Sequence, residues 1–486
     1  AGIDYQFLYA SQELATRRQQ RLILVLASIL VLTPIATWQS WQNITALFAP
    51  YPAEPELFSQ GEWTLFGGYE NFNRDRGFKA LKDKNYSLAV DYFQKAIQAF
   101  PLDPELQIFY NNAKAYQKGN PLTLAVVLPV TARREISQES LRGVAQAQDV
   151  FNISEGVNGR LLKIVIANDS NQPSQAEKVA RELIKDQNVL GVIGHFTSVT
   201  SQAALADYEK ASVAMISPNS TSTSLSQLKN KVFFRTVPSD IESAKKLAEY
   251  AASQGYKKIV IFYNPDNIYS QSLHTEFQKS FENGKVLRSI NLALPTLNPP
   301  AELLLSAYQD QADAVVLFPN TELISVVIEI IRAQKILVNK GSKRLPMLGA
   351  DALYNPEILR SGGEAVEGLV LVVPWFAEED TSRPFADEAK KRWGGQISWR
   401  TATTYDATQA FIKAISMSNN PTRQTVLKNL KSVNLSSKET SGYPLYFDNK
   451  GDRQQEPVLV KVERNPGAPF ESGFMFKQVK DKDIKQ

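Results

Sequence analysis

The chain has 486 residues, too many for one compact core, so two to four domains are expected. Its 54 Lys and Arg against 50 Asp and Glu leave a net charge of only +4, and no run of like charge is long enough to act as a nucleic-acid arm. There is no cysteine and only two histidines, His195 and His274, in separate segments. Thiolate chemistry, disulfides, Cys-ligated zinc, iron–sulfur clusters, His-rich metal sites and a lipidated N-terminal Cys are thereby excluded.

In chain order, the first element is the uncharged run Leu22–Trp38, just long enough to cross a bilayer as a helix. Arg17, Arg18 and Arg21 precede it, and Trp38 and Trp41 follow at the level of an interface. The positive-inside rule then predicts a cytoplasmic tail over 1–21, an anchor over 22–41 and an extracytoplasmic remainder. Two other readings compete. A cleaved signal peptide needs a small-residue cleavage pattern, which TPIATWQSW does not offer, and a buried soluble helix would carry a polar face.

Residues 42–68 read as a linker, rich in Pro and polar residues over APYPAEPELFSQGE. Residues 69–118 read as a helical unit. In GFKALKDKNYSLAVDYFQKAIQAFPLDP, Ala89, Phe93 and Ala96 share one helical face and Pro101 ends the helix. Small residues let two helices approach while an aromatic fills the gap, a spacing that resembles a tetratricopeptide repeat with Gly77 at the small position. Ala80 stands where that repeat usually has an aromatic, and a plain helical hairpin reads equally well. One such unit cannot bury its own apolar face, so it must pack on the next domain or on another chain.

From Leu122 short apolar runs alternate with amphipathic stretches. LTLAVVLPV, LLKIVIAND, VLGVIG, FFRTV, KKIVIFY and ADAVVLF are expected as strands, with helices over Gln138–Asn152, Gln175–Asp186 and Ile241–Gln254 and from Tyr269. The pattern predicts parallel, doubly wound sheets, and the number of strands favours two lobes.

Open parallel sheets bind ligands beyond the carboxyl ends of their strands. Three loops qualify: HFTSVTSQ with Thr197, Ser198 and Thr200, PNSTSTS with Thr221, and ADALY with Asp351. Hydroxyls and amides suit a carboxylate and a lone acid suits an ammonium, so the set describes a zwitterion. Ser and Thr at helix starts are also ordinary N-caps.

From Leu122 to about Glu463 the sequence resembles the branched-chain amino-acid type of the type I periplasmic binding proteins. The resemblance is carried by VIGHFTSVTSQA, ISPNSTSTSLS, VFFRTVPSD, YKKIVIFYNPDNIYSQSL, PMLGADALYNPE, EAVEGLVLVVP, TTYDATQAFIKAI and GYPLYFDNKGD, in that order. It implies lobe 1 over 119–240 and 375–445, lobe 2 over 241–374 and 446–480, and hinge strands near 238–241, 374–377 and 444–447. It also implies that Ser198 and Thr221 offer hydroxyls to a ligand carboxylate, that Asn219 and Ser220 offer backbone groups, that Tyr269 covers the ligand and that Asp351 grips its ammonium. Ser137 and Asn320 fall where the family often has aromatics, and Asp351 where it usually has Glu, which leaves a roomier, more polar pocket. Arg133 and Arg134 are placed to meet an acidic side chain, or to lie solvated.

The implied mechanism is hinge closure around a small ligand, with no catalysis, cofactor or metal. The phosphate-loop, nucleophile-elbow and zinc-helix motifs are missing, and His195 beside Ser198 has no acid partner indicated by the sequence. Three roles compete: a receptor for an ABC permease, a sensor with a signalling partner, and a non-transport interaction protein akin to activators of cell-wall synthases. The anchor and helical unit lean toward sensing.

Overall fold

The computed structural model describes residues 57–227, 232–294, 300–467 and 472–480. The expected membrane span Leu22–Trp38 and the tail before it lie outside these residues. Among the described residues no helix is long and apolar enough to cross a membrane.

Two sheets form. The first contains β1 (Phe58–Ser59), β2 (Leu122–Leu128), β3 (Leu162–Asn168), β4 (Val189–Ile193), β5 (Ala214–Ser217) and β6 (Phe233–Arg235), in the order β1-β3-β2-β4-β5-β6. The second contains β7 (Lys258–Tyr263), β8 (Lys285–Asn291), β9 (Ala314–Phe318), β10 (Met347–Gly349) and β11 (Val370–Val373). A short antiparallel pair, β12 (Asn434–Leu435) with β13 (Leu445–Tyr446), stands apart from both sheets. The second sheet is completed by β14 (Val458–Arg464) and β15 (Phe474–Gln478), in the order β15-β14-β11-β10-β9-β7-β8.

Every position of β2 and β3 is buried, as expected of parallel strands covered on both faces. Leu124 and Val126 pack into one apolar cluster while Ala125 and Val127 pack into the other, because successive side chains leave a strand on opposite faces. Val260 and Phe262 are divided from Ile259 and Ile261 in the second lobe for the same reason.

The sheets are mixed rather than purely parallel. β1 pairs antiparallel with β3, and β14 pairs antiparallel with both β11 and β15. The last two strands form at the end of the chain, where a short turn suffices and no crossover helix is needed. β8 escaped the sequence reading because it is an edge strand with no fully buried position.

The chain passes between lobes three times: after β6, after β11 and before β14. These passages are tied to one another. Arg235 Nε lies 2.6 Å from Asp452 Oδ1, and Arg453 Nη1 lies 2.6 Å from Asp406 Oδ2 and 3.2 Å from Thr236 O. Gln455 Nε2 donates to Pro374 O at 2.7 Å.

Among the described residues, three helices come before β2: Phe72–Lys82, Tyr86–Ala99 and Pro104–Lys118. Ala89, Phe93 and Ala96 are the buried residues of the middle one, and a Cβ on Gly77 would fall 2.6 Å from the Phe93 ring. Phe78, Phe93 and Phe109 belong to the same cluster as Leu124 and Val126, so the helices pack on the first lobe of their own chain. Polar bonds reinforce the contact: the Asn112 side chain both donates to Ile164 O and accepts from Ile164 N. Residues from Leu57 onward are not a free linker. Phe58–Ser59 joins the sheet edge, and the buried Glu105 carboxylate accepts from Leu65 N at 2.9 Å and from Thr64 Oγ1.

Candidate functional site

A cavity of about 200 Å³ lies between the lobes, at the carboxyl ends of the strands. On the first lobe, Thr197 caps the helix Ser198–Lys210 in a reciprocal bond with Thr200, which is the ordinary capping role. Its hydroxyl also donates to Asn171 Oδ1 at 3.0 Å. Ser198, 2 % exposed, accepts from Ser222 N at 3.3 Å and so ties the loop after β5 to the helix start. Asn219 on that loop lines the cavity with both polar side-chain atoms buried and unpartnered.

On the second lobe, Asn267 caps the helix Ile268–Ser280 and sets Tyr269 in its first turn. The Tyr269 hydroxyl donates to Asp351 Oδ1 at 2.8 Å, across from the end of β10. Asn320, after β9, accepts from Asn264 Nδ2 at 2.9 Å and donates to Glu322.

Of the residues singled out in the sequence, Thr197, Ser198, Asn219, Tyr269, Asn320 and Asp351 line one cavity. Ser220, Thr221 and Ser137 do not. The Ser220 hydroxyl is within 2.8 Å of Ser201 Oγ, and Thr221 accepts from Asp240 N through its carbonyl. Ser137 is fully buried in the first turns of the helix Arg134–Ile153, and the nearby wall is built by Trp399 and Arg400 instead. Nor do the two adjacent arginines face a ligand: Arg133 lies 3.7 Å from Glu322, and Arg134 donates to Phe66 O.

Several groups were missed. Asp240 starts the helix entered at the first passage between lobes and is fully buried, with neither carboxylate oxygen hydrogen-bonded. Burial pushes its pKa up to about 7, and the Ser272 and Thr221 hydroxyls, close by but outside hydrogen-bonding geometry, offset only part of this. Burial likewise raises Asp351 above the usual carboxylate range, opposed by the Tyr269 hydroxyl and the Arg400 charge. Tyr269 is held well above its ordinary value by burial and then by Asp351 and Asp240. Two buried acids near one tyrosine form a place where a cation would be welcome. The signal for Asp240 was present in VFFRTVPSD, and that for Arg400 in a charged residue at the head of the almost wholly buried helix Trp399–Ser416.

His195 does have an acid partner. Its Nδ1 is 2.7 Å from Asp169 Oδ2 and its Nε2 3.1 Å from Tyr208 OH. Both ring nitrogens are thus occupied, and the ring is fully buried, so it serves packing rather than attack. Among the described residues no cluster of His, Asp and Glu could hold a metal ion.

Two α/β lobes linked by three passages, with a small polar cavity between them, define the two-lobed type I periplasmic-binding-protein fold. Residues 121–465 match the family described as periplasmic binding protein, and the chain belongs to that family. The Pseudomonas aeruginosa leucine-, isoleucine-, valine-, threonine-, and alanine-binding protein is 25% identical over 340 residues, 69% of this chain and 87% of that one. The Leu/Ile/Val-binding protein of Escherichia coli K12 is 24% identical over 322 residues, 65% of this chain and 84% of its own. An ABC transporter substrate-binding protein from Desulfitobacterium hafniense, solved with Leu, shares the fold at a TM-score of 0.63 and 22% identity, covering 74% of this chain and 100% of that one. A leucine-binding protein from Thermotoga maritima does so at 0.63 and 22%, covering 75% and 100%. Membership in a family of non-catalytic solute-binding proteins accords with the missing enzyme motifs.

Proposed function

We propose that the protein is an extracytoplasmic receptor that closes its two lobes around an amino acid or a closely related zwitterion. The observation that carries this reading is the polarity of the cavity from one wall to the other. The first lobe offers the Ser198 hydroxyl, the amides of a helix start and the unpartnered Asn219. The second offers Asp351 with Tyr269 bonded to it, and Asp240 adds a further buried acid near both. A carboxylate fits the first end and an ammonium the second. The named relatives, described as binding leucine, isoleucine and valine and in one case also threonine and alanine, support an amino-acid ligand.

Closure follows from the ligand bridging both lobes, since only contacts added in the closed form shift the balance. Ser198 and Asn219 would take the ligand first, with Tyr269, Asn320 and Asp351 added on closing. Uptake through an ABC permease is the partner reading that the similar substrate-binding structures support. One observation favours sensing instead: the helices over 72–118 share the apolar cluster of the first lobe, so a lobe movement would be passed to whatever precedes them. In either role the run Leu22–Trp38 would anchor the chain in the cytoplasmic membrane with its N-terminus inside, and the helical unit would be a tetratricopeptide-like relay.

The test is calorimetric titration of the full chain with amino acids, dicarboxylates, peptides and wall fragments. Saturable binding of an amino acid that weakens about tenfold or more in Asp351→Asn would support the reading, since a hydrogen bond to a charged group carries that much. Binding of none of these small ligands by the folded protein would move the interaction-protein role to first place.

A further inference from the structure

Of the arginines near the cleft among the described residues, Arg400 is the one that lines the cavity. Arg133 is taken by Glu322 and Arg134 by Phe66 O. Arg400 lines the cavity while being only 3 % exposed. Its guanidinium carbon sits 4.5 Å from the centre of the Trp399 ring, within cation–π range. Of its donors, Nη1 reaches Tyr354 O at 3.3 Å and lies 3.7 Å from Glu139 Oε2, whereas Nε is buried with no partner. Among the described residues Arg400 and Asp351 form no ion pair or hydrogen bond, and Asp351 Oδ1 accepts from Tyr269. A buried guanidinium with unmet donors is costly unless an acceptor arrives to meet them.

We propose that Arg400 sets the specificity of this cavity, selecting an α-amino acid whose side chain ends in a second carboxylate. The inference rests on the zwitterion-receptor reading and deepens it. With the α-carboxylate at Ser198 and the ammonium at Asp351, a planar acceptor on the side chain is what the fork of Arg400 fits, in a bidentate or near-bidentate pair. The size of the cavity, about 200 Å³, suits a single short amino acid rather than a peptide or an oligosaccharide. The charges agree as well. Asp351 meets the ammonium, the helix start meets the first carboxylate, and a second carboxylate would give the Arg400 fork a directly bonded acceptor beside Glu139 at 3.7 Å.

The experiment is calorimetric titration of the full chain with L-glutamate, L-aspartate, L-glutamine and L-leucine at pH 8 and fixed salt. At least one of the two acidic ligands should bind about tenfold or more tightly than glutamine and leucine. Arg400→Gln should weaken binding of the acidic ligand most and so remove that preference, and Arg400→Lys should restore it only in part. The wild-type preference needs no variant, so it stands even if removing a buried arginine unfolds the protein. Glutamine or leucine binding as tightly as both acidic ligands would overturn the inference while leaving the receptor reading intact. Failure of every amino acid to bind the folded chain would overturn both.

Discussion

Asp240 shows how much a single buried side chain can bias this cleft. A carboxyl whose folded pKa is raised to about 7 holds its proton more tightly in the folded than in the unfolded chain. Its ionisation therefore costs stability as pH rises from about 4 through 7, and the cost is complete above that window. Asp240→Asn should stabilise the ligand-free protein at pH 8 by up to a few kcal/mol, seen as a higher melting temperature, and the advantage should shrink as pH falls and vanish only below about pH 4. Equal melting curves at both pH values would mean that the acid is solvated in the folded protein. Asp351 was legible because the resemblance to a known family marks its loop. Asp240 was not, since its burial and its nearness to Tyr269 and Asp351 follow from a passage between lobes that no local pattern reveals.

Among the elements, the helices Arg134–Ile153 and Trp399–Ser416 come from distant parts of the chain yet pack tightly within the first lobe. Gly143 permits this: a Cβ there would meet Thr401 O at 2.3 Å and Tyr405 N at 2.6 Å. The backbone cannot yield there as a flexible side chain would, so Gly143→Ala should destabilise by roughly 1–3 kcal/mol, read as a lower denaturant midpoint. An unchanged midpoint would show that the two helices can separate freely. The pair also explains why Arg400 faces the cavity, for the tight crossing places the head of the second helix at the mouth of the cleft. Its sequence reads as a buried helix, but which end meets the ligand depends on its partner. Gly77 against Phe93 is the case where spacing alone anticipated the contact.

For the whole molecule, the lobes are held together across the cleft by more than the three passages. Asn171 Nδ2 donates to Glu322 Oε1 at 2.7 Å, Thr223 N donates to Ser272 Oγ at 3.0 Å, and Arg133 and Arg360 approach Glu322 and Glu135. Glu322 is about half exposed, so its ion pair contributes little, and the hydrogen bond from Asn171 is the stronger term. Glu322→Ala should shift the ligand-free protein toward an open form and weaken ligand binding several-fold without changing the stoichiometry. Fluorescence transfer between one dye on each lobe measures the shift, and unaltered transfer would mean that the passages alone set the lobe angle.

The alternation of strands and helices, the two lobes and the loops that carry Ser198 and Asp351 were legible in the sequence itself, and Tyr269 only through the resemblance to a known family. Apolar period and strand-end position are local properties that survive without knowledge of the partner. Tertiary structure alone decided that the helices over 72–118 join the first lobe's core, that β14 and β15 run antiparallel, and that Ser137 and Thr221 stand off the cavity wall while Arg400 lines it. Each of these depends on contacts between residues far apart in the chain, such as Asn112 with Ile164 or Arg400 with Tyr354, and no window of sequence contains both partners.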